Sequence, residues 1–113
     1  MKYYIILFFL IFSTVRAQWE TISQPNNEQI DRIISNANIL YAGTVLARVY
    51  QSTDHGENWT QIGEDIDEIT YATDVLLKKD SYLFFSHNVG SGNYNFRCVF
   101  NGEEWGTWEP LPY

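Results

Sequence analysis

The stretch STDHGENW, residues 52–59, places a hydroxyl, a carboxylate, a glycine and an indole at fixed spacing. A hydroxyl and a carboxylate two residues apart are raw material for catalysis, and equally for a tight turn. The turn needs no substrate. Ser and Asp side chains accept hydrogen bonds from nearby backbone N–H groups, so Ser52 and Asp54 can cap one loop together. Gly56 supplies the positive φ that a side chain resists. Trp59 then starts the next strand and folds its ring under the loop, where it buries a large apolar area. These four residues read as a structural clamp, with Asp54 as an acceptor rather than a catalytic group.

The other residues with chemical potential are scattered. His55 and His87 have no second ligand at helical or hairpin spacing, so no metal site is expected from them. The acidic run GEDIDE, Gly63 to Glu68, carries several oxygen donors, but its spacing does not match a calcium loop and it reads as a solvated connection. Cys98 is the single cysteine, so no internal disulfide staples the fold; within NFRCVF it reads as a small buried strand residue. No catalytic, cofactor-binding or metal residue is assigned. Asn58-Trp59-Thr60 forms a glycosylation sequon that overlaps the clamp.

The chain start has a different character. Lys2 precedes the apolar run YYIILFFLIF, and STVRA places Val15 and Ala17 at the −3 and −1 positions of a cleavage site. This is the anatomy of a secretory signal peptide over residues 1–17. The run is shorter than the roughly 20 residues of a membrane span, although an uncleaved N-terminal anchor is the alternative. No cysteine follows it, which argues against a lipoprotein anchor. Cleavage after Ala17 removes Lys2 and Arg16, which leaves five basic residues against 14 acids and moves the net charge from −7 to −9. That balance argues against nucleic acid and anionic membranes as partners. It fits a protein that is secreted, periplasmic or at the cell surface.

Residues 18–113 must supply the scaffold. Aromatic residues make up 17 % of the chain, apolar runs are short, and Gly, Asn, Ser and Asp punctuate them, which is an all-β composition. Three stretches share a Trp followed three residues later by an aliphatic: WETI at Trp19, WTQI at Trp59 and WEPL at Trp108. Their steps of 40 and 49 residues match the length of a four-stranded propeller blade, about 40–50 residues. ILYAGT (39–44) corresponds to YLFFSH (82–87), and RVYQS (48–52) to RCVFN (97–101). Strands are expected near 30–35, 39–43, 47–51 and 59–62 in a first unit spanning about 28–62. A second unit of about 69–111 places them near 69–77, 82–86, 94–100 and 108–111. KKDS and NVGSGN read as hairpin turns. Ile30, Ile33 and Ile34 also fit one face of a short helix starting at Pro25–Asn27, but the repeat register favours a strand.

STDHGENW resembles the Asp-box, or BNR repeat, whose pattern is Ser/Thr-x-Asp-x-Gly-x-x-Trp/Phe; all four positions match. The region ILYAGTVLARVYQSTDHGENWTQI looks like one blade of the secreted Asp-box β-propellers. These include sialidases, sortilin-type receptors, some polysaccharide hydrolases and photosystem assembly factors. A second copy, NGEEWGTW, is degraded: Glu103 falls at the Asp position and Gly106 is shifted by one. WETI is a tail without its box. The resemblance implies an all-β partial β-propeller of two four-stranded antiparallel blades plus a leading strand. It also implies that the box is structural. Sialidases use a Tyr nucleophile assisted by an acid, and grip their substrate with three arginines. Arg32, Arg48 and Arg97 are the available set, but DRII (31–34) lacks the aromatic and the proline of the family's first arginine motif. Two blades also do not enclose a central site. The expectation is therefore a non-catalytic scaffold or binding module for an extracellular protein or glycan, the N-terminal piece of a larger propeller. A fragment of a sialidase-type glycoside hydrolase is one alternative. The other is a self-assembling structural protein, a homo-oligomer that closes the ring.

Overall fold

The computed structural model describes residues 19–66, 75–89 and 92–112. The signal-peptide reading, the first part of the strand expected at 69–77 and the tip of the NVGSGN turn lie outside these residues. Two four-stranded antiparallel sheets make up the described chain. The first contains β1 (Ile30–Asn36), β2 (Ile39–Thr44), β3 (Val49–Ser52) and β4 (Thr60–Ile62) in chain order. The second contains β5 (Val75–Lys79), β6 (Tyr82–Val89), β7 (Gly92–Val99) and β8 (Glu109–Pro110), again in chain order. The sheets do not close into a ring.

Local sequence explains the meander. β1 and β2 join through Ala37-Asn38, both at positive φ (48° and 67°), between the paired residues Asn36 and Ile39. Such a two-residue turn matches the twist of the strands it joins. Asp80, at φ 51°, occupies the turn between Lys79 and Tyr82. The helical alternative at Ile30–Ile34 reduces to one 3₁₀ turn over Pro25–Asn27, after which the chain enters β1. In β1, alternation decides the facing: Ile34 packs against the core while Ile33 is 47 % exposed.

The core lies between the sheets. Tyr41, Val49 and Ile62 from the first sheet meet Leu76, Leu83, Phe85 and Cys98 from the second. Phe85 is 1 % exposed and sits at about 6 Å from both the Phe96 and Trp108 rings. Trp105 closes one side of the core, edge-on to Tyr41. Between the sheets, the strands that approach most closely are the first of each, β1 and β5.

Two sequence expectations change. Residues 19–24 carry no strand ladder; the expected leading strand instead lies as an extended strap over the Ser52–Trp59 turn. The correspondence between the units does not hold across the β6–β7 hairpin. Leu40 faces Ser52, but its counterpart Leu83 faces Cys98 rather than Asn101. β6 and β7 are each eight residues long, against six and four for β2 and β3, and the longer hairpin absorbs the shift.

Candidate functional site

The structure joins Ser52, Asp54 and Gly56 in one turn, and Trp59, at its end, bonds to the strap instead. Ser52 is 1 % exposed. Its Oγ accepts the backbone N–H of Gly56 at 2.9 Å and that of Asp54 at 3.4 Å, and donates to Asp54 Oδ1 at 2.7 Å. Asp54 Oδ1 accepts the Asn58 backbone N–H and Oδ2 accepts the Asn58 amide, both at 2.8 Å. Together these bonds, the Asn58 backbone N–H first, hold the Asp54 carboxyl at about 2, below its ordinary 3.8. Gly56 has φ 89°, and a Cβ there would lie 3.0 Å from Ile22 Cγ2. The turn needs glycine for its backbone and for the strap that crosses it. The half-buried Trp59 donates its indole N–H to the Ser23 carbonyl at 2.8 Å. In this arrangement both Asp54 carboxylate oxygens accept hydrogen bonds within the turn. Asn58, the sequon residue, already donates its amide to the turn.

The degraded copy builds a related turn by other means. Asn101 Oδ1 accepts the N–H groups of Glu103 and Glu104, so Asn101 replaces the Ser–Asp pair and Glu103 plays no capping part. Trp108 then donates its indole N–H to the Ile62 carbonyl at 3.0 Å. A Cβ on Gly63 would fall 2.7 Å from the Trp108 ring, so glycine is required there as well.

A second constellation has no motif in the sequence. Glu28, 5 % exposed, follows the 3₁₀ turn and reaches onto the outer face of the first sheet. Its Oε1 accepts Arg48 Nη1, the Tyr50 hydroxyl at 2.9 Å and the Asn26 amide at 3.4 Å; its Oε2 accepts the Thr44 hydroxyl at 2.6 Å. Arg48 also grips Asp65 through Nε at 2.9 Å and Nη2 at 3.2 Å, and Gln61 donates to Asp65 at 2.7 Å. Burial alone would raise the Glu28 carboxyl, but the bonds from Thr44, Arg48 and Tyr50 outweigh it and leave it below the usual range. Burial and the Glu28 bond push the Tyr50 hydroxyl up to about 12. This is the reverse of an activated phenolate. Tyr50 is 4 % exposed, so the Tyr–Glu pair is shielded from any substrate. The cluster ties the strap to the sheet. Thr44, Arg48 and Tyr50 lie 16–22 residues from Glu28, so only tertiary structure could reveal their meeting.

The remaining candidates separate. Arg48 is held by Glu28 and Asp65, Arg97 by Glu109 at 3.3 Å on the other sheet, and Arg32 donates to the carbonyl of Asp31. The three do not converge. His87 is buried in β6 with its ring near Tyr94, while His55 is exposed in the turn at φ 60°. Cys98 is 1 % exposed and donates its thiol to the Gly106 carbonyl. Burial first, then the Glu109 charge, push that thiol up to about 11, which leaves it unreactive. Among the described residues no three His, Cys, Asp or Glu side chains gather to hold a metal. Asp65 is spent on Arg48 and Gln61.

An open cleft lies between the sheets. A cavity of about 380 Å³ is lined by Tyr41, Trp105, Gln51, Asn36, Lys78 and Glu103, among others. Trp105 donates its indole N–H to Gln51 at 3.2 Å. Aromatic side chains combined with a few amide and charged groups are the usual make-up of a small-ligand site. No protein-family model, curated protein or solved structure matches this chain.

Two expected results follow from these groups. Alanine at Asp54 lowers the melting temperature, read by circular dichroism, and leaves any ligand binding at the Trp105 cleft intact. Since the folded Asp54 carboxyl lies near 2 and its ordinary value is 3.8, its stabilising contribution is present above about pH 4. It is lost as pH falls toward 2, so the difference between wild type and variant should vanish there. On the alkaline side, Tyr50 and Cys98 titrate higher in the folded chain, near 12 and 11, than their ordinary 10.0 and 9.0. Their contribution is intact below pH 9 and is lost as pH rises from there toward 12. Thermal melts across pH 8–12 should therefore show a falling midpoint, less steep in Tyr50→Phe; an equal slope would count against this account of Tyr50.

Proposed function

We propose that this chain is an exported, non-catalytic binding module, two successive units of an Asp-box β-propeller, that recognises an extracellular glycan or protein. The observation that carries this reading is the cleft at Trp105. It combines an indole and a phenol with Gln51, Asn36, Lys78 and Glu103, and holds no acid–base pair poised on a bond. Glycosidic chemistry needs two carboxyl groups flanking one bond, or a Tyr freed to attack. Glu103 is the single carboxylate among the residues that line this cleft. A sialidase-type mechanism would need a Tyr free to reach substrate, and the Tyr50 hydroxyl is buried against Glu28.

A panel of neutral, acidic and amino-sugar oligosaccharides titrated against the purified chain tests the proposal, with tryptophan fluorescence as the readout. Saturable quenching is expected from at least one class, weakened tenfold or more in Gln51→Ala and Glu103→Ala, with no release of sugar. No saturable response to any member of the panel, or turnover of a glycoside, would overturn the glycan reading.

A further inference from the structure

The loop that carries Glu103 and Trp105 to the cleft holds the only Asn-Gly pair in the sequence, Asn101-Gly102. Chemistry and geometry coincide there. Asn101 is exposed, and its Oδ1 accepts the backbone N–H groups of Glu103 at 2.8 Å and Glu104 at 2.9 Å. Those bonds fold the side chain forward along the loop, toward the peptide nitrogen of Gly102. They also draw electron density from the side-chain carbonyl and can stabilise negative charge on its oxygen, which is the arrangement of an oxyanion hole.

Gly102 supplies the other half of the reaction. It stands at φ 102°, and a Cβ built on it would meet nothing within 4 Å. Its nitrogen is therefore open to approach, and among the described residues no acceptor holds its N–H. Asn58 offers the contrast in the first unit. The bulky Trp59 follows it, and its amide nitrogen is held by Asp54 Oδ2 at 2.8 Å.

We propose that Asn101 is a site of spontaneous covalent modification: deamidation through a cyclic imide, with water as the co-reactant. The Gly102 nitrogen gives its proton to solvent base and bonds to Asn101 Cγ. The Cγ–Nδ2 bond breaks, and Nδ2 takes up a proton and leaves as ammonia. Water then opens the ring by breaking one of its two bonds to the Gly102 nitrogen. Attack at Cγ leaves an aspartate at position 101. Attack at the main-chain carbonyl leaves an isoaspartate, whose chain runs through Cγ and is one atom longer. Nothing is oxidised or reduced. Both products carry a carboxylate, so the turn gains a negative charge two residues from Glu103, which lines the cleft. The aspartate keeps an acceptor for the N–H groups of Glu103 and Glu104. The isoaspartate lengthens the loop that the Phe100–Trp105 bridge closes. The added charge works against acidic ligands in the cleft. That last consequence rests on the proposed binding function; the modification itself does not.

Peptide mapping by mass spectrometry tests it, on the purified full chain held at mildly alkaline pH. The peptide that contains Asn101 should gain one mass unit and split into two products, faster as pH rises, while Asn58 stays intact. The folded chain should convert at least as fast as the same chain in guanidinium, where the two N–H bonds to Oδ1 are absent. Asn101→Gln, which must close a larger ring, should slow the change at least tenfold. A folded chain that keeps its amide while the denatured chain converts, or one that converts Asn58 as fast as Asn101, would overturn the inference. Oligosaccharide titration of the unmodified chain reads the proposed function separately: failure of that reading shows as an absent fluorescence response, and failure of this inference as an unchanged mass.

Discussion

Replacing Glu28 with alanine should destabilise the chain by about 3 kcal/mol, the scale of a broken buried ion pair. The loss is large because of what stays behind. Thr44 and Tyr50 are 0 % and 4 % exposed, and both would lose the acceptor their hydroxyls use. Each buried hydroxyl that loses its acceptor costs about 1–3 kcal/mol. Arg48 is cushioned, since Asp65 still holds it and a quarter of its side chain already meets water. The consequence reaches the strap, because Glu28 is the charged group that fixes residues 19–29 to the first sheet. Glu28→Gln should recover part of the loss: its carbonyl can serve one donor, but its amide presents N–H groups to another. Urea unfolding gives both values. A loss below about 1 kcal/mol in the alanine variant would mean that the cluster contributes no more than an exposed pair does.

Phe85→Ala should cost more, about 3–5 kcal/mol, as is usual for a buried Phe emptied to a methyl. Phe85 projects from the middle of β6 toward the first sheet, where its ring meets Phe96 and Trp108. Trp108 is anchored on its far side by the Ile62 carbonyl and Gly63. The cavity would therefore open at the seam between the sheets rather than within one of them. The sheets are expected to loosen together, seen as faster amide exchange in both β2 and β6. Exchange that quickens only in the second sheet would show the two sheets to be independent.

Much of the strand plan was legible before any coordinates. Short apolar runs between polar turns, with the repeat phase, mark β1 to β3 and β6 within a few residues, and the β1–β2 and β5–β6 hairpins are closed by local chemistry at Ala37-Asn38 and Asp80-Ser81. The Ser52–Trp59 turn was legible for the same reason: its bonds run between residues at most four apart. Facing was harder. Ile30, Ile33 and Ile34 satisfy both a helical and an extended pattern, and pairing with β2 decides between them. The β6–β7 register was misjudged because sequence correspondence at the two ends of a hairpin does not fix the hairpin's length. The Glu28 cluster and the partners of Trp59 and Trp108 were not legible at all. Their contacts span 16 to 46 residues and exist only once the strap and the sheets have stacked.

In this account the hydroxyls, carboxylates and arginine that look catalytic hold the chain together. One paired measurement tests that most directly: hydrolysis of a fluorogenic sialoside by the wild type, Asp54→Ala, Glu28→Gln and Tyr50→Phe, with urea unfolding on the same samples. No hydrolysis above the buffer rate is expected for any of the four, and lowered stability is expected for all three variants. Hydrolysis by the wild type that disappears in Tyr50→Phe or Glu28→Gln at unchanged stability would contradict it.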